Sequence, residues 1–125
     1  MAEPTPSRPA VRPLLELAAL AQSPLPMWVF DQETLAFLEV NNAAIVEYGY
    51  SREEFLKMTI RDIRPLEDLP AILHATMHPA EKGPSTRELW RHRKKDGSVF
   101  QVEITSQAIG FCGRAGELVL AVAID

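Results

Sequence analysis

Internal disulfides are excluded from the outset, because the 125 residues include a single cysteine, Cys112. The small secreted scaffolds that depend on such staples are set aside with them. Long apolar runs are missing too. None approaches the ~20 residues that a membrane-spanning helix needs, and no basic segment precedes a signal-like apolar core. Positive charge is not in surplus: the net charge is −4, which leaves no electrostatic footprint for nucleic acid or an anionic membrane. Gly-rich phosphate loops, nucleophile elbows, kinase signatures and internal repeats are all absent. These gaps point to a cytoplasmic chain that makes no membrane contact itself, either alone or as one module of a larger receptor.

What is present is ordinary globular material. Hydrophobic residues make up 46% and charged residues 24%, and the length suits one domain with a modest core. Residues 1–13 hold four of the ten prolines (Pro4, Pro6, Pro9, Pro13) and few apolar side chains, as a linker or disordered arm does. A flanking helix is expected over 14–23. There Leu14, Leu17, Ala18 and Ala21 follow helical spacing behind Pro13, and Ser23-Pro24-Leu25-Pro26 stops the helix. This face is expected to cover part of a sheet or to pair with a partner helix.

Residues 24–125 read as the main domain. Met27 to Asp31 and Leu35 to Val40 form two strand-like runs around a polar turn. Asn41-Asn42 caps a short helix that ends at Gly49, and Ser51 with Glu54 makes a capping box for the next. A longer helix is predicted over 67–77, with Leu69, Ile72, Leu73 and Thr76 on one face. Two long strands follow, about 86–94 and 98–109. A turn at 112–116 leads to a last strand, 118–124, which is apolar on both sides and therefore expected to be covered.

The Asp96-Gly97 pair between the two long strands is the strongest local signal. Favoured two-residue hairpin turns need positive φ, and beyond this one Phe100, Val102 and Ile104 alternate with polar neighbours. The basic cluster Arg91, Arg93, Lys94 and Lys95, flanked by Glu88 and Asp96, reads as a solvated face. Antiparallel strands with segregated short helices indicate an α+β fold, with one five-stranded sheet whose inner face is closed by residues 42–77.

Several strings resemble the PAS family in order and spacing. Pro26-Met27-Trp28-Val29-Phe30-Asp31 is similar to its first strand, and Phe37 to Ala44 to its second strand and asparagine-alanine helix start. Tyr48-Gly49-Tyr50-Ser51-Arg52-Glu53-Glu54-Phe55 and Arg93-Lys94-Lys95-Asp96-Gly97-Ser98 are similar to two further family segments. The resemblance covers about residues 24–125. It implies a sensory and interaction module of bacterial signalling, not an enzyme. Such a module regulates an attached effector such as a histidine kinase, commonly as a homodimer. By the same resemblance Asp125 stands at the output junction, although the family's following serine or threonine is not present. A small-molecule or haem-binding carrier and a small α+β enzyme are the alternatives.

No cofactor and no metal is expected. The resemblance suggests an axial histidine for haem on the longer helix, which carries His74 and His78. With Ile72 at zero, its apolar face spans about 0–100°, whereas His74 falls near 200° and His78 near 240°. Their i, i+4 spacing is half of a zinc site, and nothing brings His92 and Cys112 to complete it. Light-sensing relatives place a reactive cysteine where this chain has Thr59 to Pro65, which contains none. A pocket for a small apolar ligand would be lined by Trp28, Phe30, Phe37, Ile45, Ile72, Leu73, Leu89, Phe100, Val102 and Ile104. A filled core is the favoured reading, because strand and helix periodicity explains every one of these residues without a ligand.

Overall fold

Alternating apolar and polar side chains build one antiparallel sheet from β1 (Met27–Asp31), β2 (Phe37–Val40), β3 (Ser85–Arg93), β4 (Val99–Phe111) and β5 (Arg114–Ile124). The computed structural model describes residues 18–77 and 85–124. Spatial order is β2-β1-β5-β4-β3, so the last strand lies in the middle, as its two-sided apolarity requires. Between β2 and β3 run α2 (Asn42–Tyr48), α3 (Arg52–Phe55), two 3-10 turns (Ile60–Ile63 and Leu66–Asp68) and α4 (Leu69–Met77). Residues 18–22 are helical and form α1. Leu14, Leu17, His78, Asp125 and the loop expected at 81–84 lie outside the described residues.

Local signals terminate the helices as the sequence leads one to expect. Asn41 Oδ1 accepts from the Ala44 amide, Gly49 closes α2 in the left-handed region at φ 88°, and the Ser51–Glu54 capping box is complete. A second box, between Thr59 and Asp62, opens the first 3-10 turn. Asn41 also joins elements. Its Oδ1 takes the Met27 amide at 3.1 Å, and its Nδ2 donates to the Leu20 and Leu25 carbonyls, each at 2.9 Å. One buried amide thus ties α1, β1 and α2 together.

The β3–β4 hairpin departs from the two-residue turn. Arg93 pairs with Val99, Lys94 N donates to Ser98 O, and Gly97 N donates to Lys94 O, each bond at 2.9 Å. Within this loop only Gly97 takes positive φ, 93°, which is the three-residue loop with a left-handed glycine. The register therefore sets Trp90 opposite Val102 and His92 opposite Phe100, so Trp90 and His92 face the helices. Leu89, expected among the pocket residues, pairs with Glu103 on the other face and is 73% exposed. The tight two-residue turn occurs instead at Cys112-Gly113, with φ 52° and 79°, so β5 starts at Arg114 rather than at 118.

Apolar side chains collect on both faces of the sheet. Inside, Trp28, Phe37, Tyr48 and Phe55 meet edge to face at 5.0–6.3 Å beneath the helices. Outside, Leu20 of α1 is buried with Val29, Ile109 and Phe111. Ala18 and Ala21 are exposed, so the face of α1 that covers the sheet is the one carrying Leu20. The basic cluster is a clasp as well as a wet surface. Arg91 pairs with Asp68 at 2.8 Å, Lys94 with Glu47 at 3.2 Å and Lys95 with Glu54 at 2.9 Å, which fastens the hairpin to three helical elements.

Candidate functional site

Arg64 enters the interior because of its place in the chain. It follows the first 3-10 turn and precedes Pro65, whose ring disfavours helical backbone in the residue before it, and its φ and ψ are −119° and 145°. The turn is anchored to the segment just before β2 by an Ala36–Thr59 bridge and by Ile60 N donating to Leu35 O at 3.0 Å. Arg64 is 5% exposed, and its guanidinium lies 5.1 Å from the Trp90 ring centroid. Neither Nε nor Nη1 has a hydrogen-bond partner. Burial lowers its pKa to about 10, although Glu88 and Asp68 act in the opposite sense.

Beside it lies a buried polar pair. Tyr48 Oη and His92 Nδ1 are 2.6 Å apart, and both residues are essentially inaccessible. Burial raises the Tyr48 pKa, and burial together with the nearby Arg64 charge holds His92 well below the ordinary imidazole range. Both groups are therefore neutral near pH 7. His92 Nε2 and Trp28 Nε1 have no partner.

A small cavity of about 30 Å³ opens next to these groups, walled by Trp28, Arg64 and Trp90 with Ile60, Ile72 and Ile104. Glu88, Ser106 and Glu117 also reach it. Trp90 Nε1 donates to Glu88 at 2.8 Å, and Gln32 Nε2 donates to Glu117 at 2.7 Å. By volume the space takes about two water-sized groups. It is a small notch in a packed interior, where Arg64, Glu88, Ser106 and Glu117 interrupt a mainly apolar wall.

Of the residues expected to line a pocket, Trp28, Phe30, Ile72 and Ile104 border this cavity. Phe37 and Val102 are buried in the surrounding core, with Ile45 and Phe100 packed against it. Leu73 is half-buried and Leu89 faces solvent. His74 is exposed on α4, as its helical angle predicts. Among the described residues no group of three or more His, Cys, Asp or Glu is placed to hold a metal ion. No described helix is long and apolar enough to cross a membrane.

Arg64, Tyr48, Glu88, Trp90, His92 and Ser106 were not anticipated as site residues. Two signals point to Arg64, Glu88, Trp90 and His92, and neither marks Tyr48 or Ser106. Arg64-Pro65 marks a forced extended residue, and the three-residue hairpin loop places alternate β3 positions across from Phe100, Val102 and Ile104.

A five-stranded antiparallel sheet that cradles short helices around a small interior cavity defines a class of sensory fold. The family model for the PAS fold matches residues 17–125, and the chain belongs to the PAS family. Solved structures agree in fold. A PAS domain from a two-component sensor histidine kinase has a TM-score of 0.73 at 22% identity, covering 94% of this chain and 99% of its own. The PAS domain of an HTR-like protein from Haloarcula marismortui has a TM-score of 0.73 at 21% identity, covering 95% and 96%. A PAS domain from Colwellia psychrerythraea has a TM-score of 0.76 at 18% identity, covering 89% and 95%. No curated protein matches the chain significantly. PAS domains are sensory modules, and a sensory or signalling role follows for this chain.

Proposed function

We propose that this domain senses a small molecule in the cytoplasm and regulates an attached signalling effector, of which a bacterial histidine kinase is the leading form. The observation that carries the reading is the interior cavity beside Arg64, where buried polar atoms stand without partners in an otherwise packed domain. Such atoms cost stability unless something satisfies them, and a bound ligand does so. In this reading the domain works as a homodimer without haem or flavin. Ala18 and Ala21, exposed on α1, join Leu14 and Leu17 at the partner, while Asp125 leads to the effector.

The route from cavity to output is short. Trp28 of β1 lies across from Val119 of β5, and Val119 from Ser106 of β4. Occupancy at the cavity therefore bears directly on the central strands, and β5 runs on toward Asp125. The test is a chimera in which residues 1–125 replace the PAS domain of a histidine kinase with measurable autophosphorylation. Filling the cavity by Ser106→Phe should change the kinase activity at least threefold while the isolated domain stays folded. Identical activity in both chimeras would refute regulation through this site.

A further inference from the structure

We infer that the contact between the end of α2 and the β3–β4 hairpin is a latch that acid releases, with His92 as its trigger. Four contacts close it. Tyr48 Oη meets His92 Nδ1 at 2.6 Å, and the Lys95 amide donates to the Tyr48 carbonyl at 2.9 Å. Lys94 pairs with Glu47 at 3.2 Å, and Lys95 with Glu54 at 2.9 Å. These ion pairs are partly exposed and hold weakly. The strands beneath give the tip little further support. Among the described residues β5 pairs with β4 no further than Gln101 opposite Ile124, so His92, Phe100 and the loop beyond them form a two-stranded extension. Such a ribbon is marginal by itself, and its contact with α2 decides whether it stays in place.

His92 is the buried member of this set. It stands between Tyr48 of α2, Trp28 of β1 and Phe100 of β4, with ring centroids 5.6–6.2 Å away. Trp28 and Phe100 bring no charge. Among the described residues Arg64 is the charge that acts on His92, and it repels an imidazolium. Glu88 and Asp68 act on Arg64, and Glu47 on Tyr48, rather than on His92. A protonated His92 would therefore be buried beside a like charge with no carboxylate to offset it. The closed latch excludes the proton, and the open one admits it. Neutral His92 favours the closed form above the ordinary histidine value of ~6.5, and that advantage drains away as pH falls below it. Glu54 stays ionised through this window, because the Ser51 amide and then Lys95 lower its pKa.

The experiment is amide hydrogen exchange of the whole chain by NMR, expressed as protection relative to the unfolded peptide. The Lys95 amide reports the latch. The Ala121 amide, which donates to Pro26 O at 3.0 Å in the middle of the sheet, reports the fold as a whole. At pH 7.5 Lys95 should be less protected than Ala121 by about tenfold or more, as a local opening requires. Between pH 7.5 and 5.5 the Lys95 protection should fall by about tenfold, the effect of one histidine that binds its proton only in the open form. His92→Gln keeps a polar partner for the Tyr48 hydroxyl and does not titrate, so the fall should vanish. His92→Phe should remove it as well, and either variant suffices if the other does not fold. Equal protection at Lys95 and Ala121 would overturn the latch, because the tip would then open only with the whole domain. Protection at Lys95 that is unchanged between the two pH values, or that falls equally in a folded variant, would overturn His92 as the trigger.

Discussion

On its outer face the sheet is closed by Leu20 over Val29, Ile109 and Phe111, an entirely apolar contact, whereas on its inner face the same strands help to bury Arg64, His92 and the Trp28 indole among hydrocarbon. The first arrangement is the cheap solution to covering a sheet, at about 25 cal/mol per Å² of apolar surface removed from water. The second carries desolvation costs that aliphatic residues of similar volume would avoid. A domain selected for stability alone has no need of the inner arrangement. The proposed sensing role draws on the inner arrangement, whereas the outer one is what covering a sheet alone requires.

The sharpest way to break the comparison is to remove one member of the buried polar pair. Tyr48→Phe leaves His92 Nδ1 without its partner and should destabilise by about 1–3 kcal/mol in chemical denaturation. The double variant Tyr48→Phe/His92→Phe removes both polar atoms and should recover part of that loss. A double variant as unstable as the sum of the single ones would mean that packing, not hydrogen bonding, holds the pair.

Acid provides the next test. Folding depresses the His92 pKa, so the unfolded chain binds the proton first as pH falls below the ordinary histidine value of ~6.5. Stability from neutral His92 is present above that pH and drains away below it, by about 1 kcal/mol between pH 6.5 and 5.5. The wild type should show this loss, and the Tyr48→Phe/His92→Phe variant should show much less. The depressed carboxylates Asp31, Glu54, Asp68 and Asp96 titrate in a lower window and leave the comparison clean.

Strand β3 shows how much was legible in the chain. The helix caps, the covered last strand and the outward His74 followed from local chemistry, because each depends on neighbours a few residues away. The inner face of β3 did not. A two-residue turn at Asp96-Gly97 would pair Leu89 with Ile104, on the inner face, whereas the three-residue loop moves the register by one and pairs Glu88 there. A one-residue shift turns every side chain of the strand over, which exchanges Leu89 and Arg91 for Trp90 and His92. Hydrophobicity reinforced the error, since leucine is the expected inward residue and histidine the expected outward one. Arg64 escaped notice because an arginine after a helical turn ordinarily points to water. On α1, the spacing of Leu17, Ala18 and Ala21 gave one face, while Leu20 selects another.

The smallest expected effect checks that register. Leu89→Ser should change stability by no more than about 0.5 kcal/mol, as exposed positions do. A loss above about 2 kcal/mol would place Leu89 inside and undo the inner-face description.

The central claim is that Arg64 is kept at a cost in stability, and Arg64→Met measures this directly. Methionine preserves the apolar stem while removing a buried cation with two unsatisfied nitrogens. In equilibrium denaturation at pH 7, the variant should equal or exceed the wild type in stability, by up to about 2 kcal/mol. A variant less stable than the wild type by more than about 2 kcal/mol would make Arg64 a structural residue and contradict the account.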